Sequence, residues 1–600
     1  MKIKLVKIFI LLAVAVTAAF GQNDLQSRIE RVEKGLLPAV LVKGDPTWTV
    51  QERMAHYKIS GVAITVIEDF KIAWSKAYGV KDVATKEIVN LETLFQAASI
   101  SKPVAAMTAL KKVEEGRLAL DEDINKRLVS WKLPDNEFTA AKKVTLANLL
   151  SHTAGLTVHG FPGYETGATL PTMPQILDGA PPANTATVRV DMTPTTKFRY
   201  SGGGTTIMQM LLMDVMKKPF PQIAQETVLK RLEMTNSTYN QPLPEPLRAR
   251  AASGHRSDGS VVSGKFHTYP EMAAAGLWTT PIDLAKFSIE IQLSLKGKSN
   301  KVLSRAMTEK MLTPYIESTI GLGLFLEKRG NAIYFNHGGA NEGFRCILMA
   351  HKDKGYGAAI MVNSDNGQIL SEILKSVARE YQWEDFLPQP YEIVTIPAEQ
   401  LTVNVGRYLV NPDRVLAVAI ENGRLFAQST QSPKVELLPI ASNKFIRKDA
   451  ASQYSFLPNA NGNIDTVLIR FDGGESRAPR LANGAMIPYE YLLAEKFDEA
   501  GAAYRRIKQS QPDNIAVSEN RLNGLGYELL NQQKFPVAVA VFKVNIEFYP
   551  QSANTYDSLG EAYMLSGDKE LAIKNYQKSL ELNPQNQGAV QMLQKLGQIK

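Results

Sequence analysis

Near the C-terminus the chain repeats itself at a spacing of 34 residues. Leu525, Gly526, Ala538, Phe542 and Pro550 recur as Leu559, Gly560, Ala572, Tyr576 and Pro584. A fixed period of this length means stacked supersecondary units that bury a continuous core only together. Small residues let two helices cross closely, aromatic residues fill the groove between them, and proline ends the second helix. The last unit also carries Tyr556 and Tyr563. An earlier partial unit shows Tyr491, Ala500, Tyr504 and Pro512, with Pro488 where its first helix needs a glycine. Pro512 and Pro550 lie 38 residues apart, so four residues are inserted there.

The pattern resembles a tetratricopeptide array of three repeats, the first degraded, over residues 485–600. Such an α-solenoid presents surfaces suited to a protein partner. At 600 residues the chain has room for further domains, and 44% hydrophobic with 21% charged residues is ordinary for soluble folds. The net charge of +8 owes three bases to Lys2, Lys4 and Lys7; without residues 1–21, 65 bases face 60 acids. That excess of +5 with no basic run makes nucleic acid a poor partner. Those first residues predict a cleavable signal peptide: a basic start, 13 residues from Ile8 to Phe20, then Ala19-Phe20-Gly21. The run is shorter than the ~20 residues that span a bilayer, so a periplasmic or secreted protein without a stable membrane span is expected. Cys346 is the only cysteine, which excludes an internal disulfide and a thiolate metal site. It reads as a buried strand residue.

Residues 390–482 alternate short apolar runs (416–420, 467–471) with turns at Glu421-Asn422-Gly423 and 459–462. Regular strands with Asn-Gly turns predict a small antiparallel barrel or sandwich. Residues 22–386 mix both element types. Gly61–Ile67 and 72–74 read as a strand pair, 344–350 and 358–362 as two more strands, and 103–115 and 205–217 as helices. Strands at both ends with helices between them predict one sheet assembled from the two ends of the segment.

Ser-x-x-Lys occurs as Ser99-Ile100-Ser101-Lys102 and as Ser566-Gly567-Asp568-Lys569. The second lies in the turn of the last repeat. Ser99 opens a helix, where unpaired N–H groups favour developing negative charge. Lys102 lies three residues on, on the same helix face. A serine hydroxyl needs a base. Free lysine and tyrosine titrate near ~10 and need burial and each other to accept a proton at neutral pH. Tyr200, in Arg199-Tyr200-Ser201-Gly202, precedes a helix, and His337-Gly338-Gly339-Ala340 sits between strand signals. No Gly-x-Ser-x-Gly occurs, which argues against the α/β-hydrolase route. The seven histidines show no zinc spacing, so neither metal nor cofactor is expected.

With the loop 150–156 and the segment 275–284, the order of these motifs resembles the serine β-lactamase and penicillin-binding-protein superfamily, closest to its class C-like branch. The resemblance covers about residues 30–386. It implies an α+β domain with an antiparallel sheet, flanking helices and a helical subdomain, and the β-rich segment resembles the lipocalin-like appendage found in some of these proteins. It implies Ser99 as acylated nucleophile, Lys102 as the lysine that helps deprotonate it, and Tyr200 as the proton relay. His337, Gly338 and Gly339 then stand where the family has its Lys-Thr-Gly substrate strand, and the N–H groups of Ser99 and Ala340 form the oxyanion hole.

Two positions depart from the pattern. Gly202 stands where the family often has asparagine, and His337 replaces the carboxylate-recognising lysine. Both favour small esters or amides over β-lactams, with D-amino-acid peptides also open. His152 is expected to hold backbone groups rather than act as a base. The expected function is a secreted serine hydrolase. The alternative is a non-catalytic binding module with the repeats as docking surface.

Overall fold

The computed structural model describes residues 24–471 and 474–598; the leader expected at 1–21 lies outside them. The chain forms two compact units. One holds the residues up to Gln389 except Ala39–Gly44, and the other holds Ala39–Gly44 and the chain from Pro390 onward.

The first unit is an α+β domain around a seven-stranded sheet. In spatial order its strands are Glu87–Ile88, Lys71–Asp82, Gly61–Glu68, Gly357–Val362, Phe344–His351, Ala332–Asn341 and Phe325–Arg329. Every neighbouring pair is antiparallel. The sheet does join the two ends of the segment, through the pairing of Gly61–Glu68 with Gly357–Val362. These strands are almost wholly apolar because both faces are covered. Alternation then divides them between two cores. Val62, Ile64, Val66 and Ile360 pack with Val32, Ile373 and Val377, while Ala63, Ala359 and Met361 belong to the core shared with the helices of the long insertion. Helix Gln368–Glu380 is apolar on one stripe (Ile369, Ile373, Val377) and is tied by Glu372 to Arg53, at 2.6 and 2.7 Å.

The second unit begins as an antiparallel meander of eight strands, from Gly406–Asn411 to Gly474–Pro479, each paired with the next. A bridge from Tyr408 to Arg480 brings its two ends together, giving a nearly closed, barrel-like sheet. The sequence left barrel and sandwich open. The turn at Asn422-Gly423 has φ of 49° and 75°, the positive pair that a two-residue hairpin of matching twist requires.

The repeats follow as helices Pro488–Leu493, Phe497–Ser510, Glu519–Asn531, Phe535–Phe548, Ala553–Ser566 and Lys569–Leu582, then Gln587–Lys595. Pro488 sits in the first turn of a helix only six residues long, the physical form of the degraded first unit. The inserted residues form the turn Ile515–Val517, with Val517 buried. Glycines at the 34-residue period are demanded by packing. A Cβ on Gly526 would lie 2.4 Å from the Phe542 ring, and one on Gly560 3.1 Å from Tyr576. Within this unit the β-sheet and the repeats share one apolar cluster, where Val415 joins Ile487, Tyr489 and Leu492. Buried Asp413 receives Arg521 Nε at 3.3 Å.

Gly524, two residues before Gly526, has open space where its Cβ would be. The pair gives a test of the packing argument. Gly526→Ala should lower the stability of the repeats by about 1–3 kcal/mol through overpacking. Gly524→Ala should raise it by about 0.5–1 kcal/mol, because alanine is the better helix former. Thermal melts followed by circular dichroism would read both. Equal effects at the two positions would contradict the close crossing at Gly526.

Candidate active site

Phe95–Gln96 pairs with Trp278–Thr279, and the N–H of Ala97 then donates to the Leu277 carbonyl at 2.8 Å. This clamps the chain just before it must turn sharply. Ala98 makes that turn with φ of 48°, a left-handed conformation that costs a non-glycine residue about 1 kcal/mol or more. Ser99 follows in the short turn Ala98–Ile100, which runs into helix Ser101–Glu114. Ser101 secures the turn, its Oγ donating to the Ala98 carbonyl at 2.5 Å and accepting from the Leu277 N–H at 2.9 Å.

Lys102 is buried at 4% exposure. Its Nζ donates to Ser99 Oγ at 2.9 Å and to the Ala274 carbonyl at 2.8 Å, and lies 5.0 Å from the centre of the Tyr200 ring. Among the described residues no carboxylate pairs with it. The other Ser-x-x-Lys forms no such couple: Ser566 Oγ donates to its own helix, at the Tyr563 carbonyl.

Tyr200 is held from both sides by His152. The His152 carbonyl accepts from the Arg199 N–H at 2.8 Å, and its Nδ1 accepts from the Ser201 N–H at 3.2 Å. The two rings lie 4.4 Å apart. Burial, and after it the nearby Lys102 charge, hold His152 well below the usual histidine range. It is neutral and acts on backbone, as its loop position led us to expect. Ser201 caps helix Gly202–Met216, accepting from the Gly204 N–H at 3.0 Å.

His337, Gly338, Gly339 and Ala340 lie inside strand Ala332–Asn341 rather than between strands. The glycines interrupt the sequence pattern but not the strand, and at Gly339 closeness requires one. A Cβ on Gly339 would lie 2.3 Å from the Ala97 carbonyl oxygen and 2.4 Å from Cys346 Sγ. The strand therefore touches the Ser99 loop backbone to backbone. Cys346 is a buried strand residue with Sγ 3.1 Å from the Ala97 carbonyl, its thiol pushed far up by burial. Asn341 adds a side-chain tie to Gln96 at 2.8 Å.

These elements enclose a pocket of about 650 Å³ lined by Ser99, Tyr200, His337 and Gly338–Ala340. The expected nucleophile, tyrosine and substrate-strand positions meet there, with Lys102 behind Ser99. The remaining walls are His159, Gly160, Phe161, Phe198, Phe325 and Cys346, and among the described residues no Lys, Arg, Asp or Glu lines it. Phe325 stacks on Tyr200 at 6.2 Å and stands 5.2 Å from His337. Gly202 has no room for a side chain, since its Cβ would meet Phe161 at 2.9 Å and the His159 carbonyl at 3.0 Å. His337 Nδ1 lies 2.6 Å from the Gly338 carbonyl, and burial, then Lys102, lowers its pKa to about 3. Sequence reasoning missed Phe325 and the Ala274 carbonyl. A lone aromatic on a distant strand and a backbone oxygen carry no local signal.

The family model described as Beta-lactamase matches residues 48–377, more than half of the chain. This chain belongs to the beta-lactamase family. A second model, described as Tetratricopeptide repeat, matches residues 553–586. Protein Flp of Staphylococcus aureus strain MW2 is 24% identical over 314 residues, which are 51% of this chain. The chain spans only 60% of the length of that relative. The octameric penicillin-binding protein homologue from Pyrococcus abyssi is 20% identical, with a TM-score of 0.49, covering 71% of this chain and 98% of its own. A beta-lactamase/D-alanine carboxypeptidase from Pseudomonas syringae is 21% identical, with a TM-score of 0.44, covering 56% and 96%. The beta-lactamase-family domain is thus a serine-hydrolase fold with a β-rich segment and repeats after it. Among the described residues no helix is long and apolar enough to cross a membrane.

The neutral state of His337 has a pH signature. Its pKa is about 3 when folded, against ~6.5 unfolded, so between these values the unfolded chain binds the extra proton. Stability conferred at neutral pH is therefore lost as pH falls through ~6.5 toward 3. His337→Asn should shrink the stability lost between about pH 7 and about pH 5 by about 2 kcal/mol. Urea unfolding at both pH values measures this, and an unchanged loss would contradict a buried neutral His337.

Proposed function

We propose that this chain is a secreted serine hydrolase that forms an acyl-enzyme at Ser99, on small neutral esters or amides with apolar or aromatic acyl groups. The observation that carries the reading is the 2.9 Å hydrogen bond between buried Lys102 and Ser99 Oγ at the floor of an open pocket. In this reading Lys102 and Tyr200 together take the hydroxyl proton as Oγ attacks the carbonyl carbon. The oxyanion forms between the N–H groups of Ser99 and Ala340. Collapse of the tetrahedral intermediate breaks the bond to the leaving group, which takes the proton back by way of Tyr200. Water then hydrolyses the serine ester along the same path in reverse.

The pocket supports the substrate class. A substrate carboxylate would find no cationic side chain on its walls, because His337 is buried and neutral. Leaving such a charge unpaired against aromatic walls is costly. An acyl-amide would find Phe161 and the His159 carbonyl packed over Gly202 where an asparagine amide could otherwise bind it. Simple esters need neither contact. The basic, apolar leader supports export.

Purified protein should hydrolyse 4-nitrophenyl butyrate with a kcat/KM at least about tenfold above that for the matching hemisuccinate ester or a cephalosporin. Ser99→Ala and Lys102→Met should each lower ester turnover by about a thousandfold or more. Wild-type turnover by the Ser99→Ala protein would overturn the acyl-enzyme. Preference for the charged substrates would overturn the substrate class while leaving the nucleophile standing.

A further inference from the structure

The last two repeats form a second concavity, remote in sequence from the hydrolase residues. It lies between helices Phe535–Phe548, Ala553–Ser566 and Lys569–Leu582 and has a volume of about 600 Å³. Its apolar lining comes from Ile546, Leu559, Tyr563 and Leu571. Its polar lining is unusually one-sided. Lys543, Lys574 and Lys578 face it, against Glu581 as the only acid among the lining residues. Glu581 is engaged by Lys578 at 2.6 Å. Lys543 and Lys574 are exposed, and neither is in an ion pair among the described residues. Lys543 instead lies 6.0 Å from the centre of the Tyr563 ring.

The repeat fold does not require these charges. One period earlier, the positions of Lys574 and Lys578 are occupied by Ala540 and Val544, and the helix forms equally well. The lysines are thus a property of this groove and not of the repeat. Solvated lysines on a convex helix face would need no explanation, but these share a concavity with an apolar lining, where an unpaired cation favours an anionic neighbour.

We propose that this groove docks an acidic peptide segment of a partner protein. One aliphatic or aromatic side chain of the segment would seat between Leu559, Tyr563 and Leu571, and its carboxylates would pair with Lys543 and Lys574. The inference is independent of the reaction at Ser99.

A random-peptide display selection on the purified full chain, followed by fluorescence polarisation of the selected peptides, tests it. The expected winners carry aspartate or glutamate beside a leucine, phenylalanine or tyrosine. Their affinity should fall at least about tenfold in Lys543→Glu/Lys574→Glu protein and weaken with added salt. Both lysines are exposed, so the variant should keep its helical circular dichroism, and Ser99→Ala should bind unchanged. The proposal is overturned if no peptide is selected, if winners are neutral or basic, or if charge reversal leaves affinity unchanged. It is likewise overturned if the full chain sediments as a dimer that charge reversal dissolves, which would give the groove to a second copy.

Discussion

A lysine nitrogen buried away from water is costly unless its N–H groups find partners, and the first unit is organised around that demand at Lys102. Two of the partners are oxygens, Ser99 Oγ and the Ala274 carbonyl, and the third is the face of Tyr200. Each has to be held in place by something else. Ser99 is fixed by the left-handed Ala98 and by the Ser101 hydroxyl beneath it. Tyr200 is fixed by His152 on both sides of its backbone. Ala274 belongs to the short helix Met272–Ala275 that leads into Leu277, whose own backbone meets Ala97 and Ser101. Holding the lysine and placing the serine are therefore one packing problem, and its solution leaves the lysine's hydrogen bond directed at a serine hydroxyl that lines the pocket.

The two departures from the family pattern fit together physically. A histidine at 337 is shorter than lysine and, buried beside Lys102, carries no charge. A glycine at 202 leaves space that the loop around Phe161 fills. At each position an aromatic ring packs close by, Phe161 at Gly202 and Phe325 at His337. The outcome is a pocket walled by aromatic side chains, with no Lys, Arg, Asp or Glu among its described lining residues. The basic groove of the repeats follows the opposite principle, with cations around an apolar lining.

Much of this was legible in the chain because it rests on local periodicity. Short continuous apolar runs announced the two central strands, Asn422-Gly423 announced its hairpin, and the 34-residue period announced helices packed over Gly526 and Gly560. The order of Ser99, Lys102, Tyr200 and His337 announced a site. What stayed hidden depends on contacts between distant segments. Phe325 reaches Tyr200 from an edge strand, and the Ala274 partner of Lys102 is a backbone carbonyl that any residue would supply. Gly339 reads as an interruption until the Ala97 carbonyl is seen to need the space. The barrel's closure through Tyr408 and Arg480 joins residues from the two ends of the meander, so no local pattern could separate it from a sandwich.

The central claim is that Lys102 and its surroundings make Ser99, alone among the serines of the chain, a nucleophile. Intact-mass spectrometry of the full chain after exposure to an alkyl fluorophosphonate tests this most directly. The expected result is one adduct per chain, mapped by peptide digestion to Ser99 and absent from Ser99→Ala and from protein denatured before exposure. An unmodified chain, or an adduct that persists in Ser99→Ala, would contradict the account.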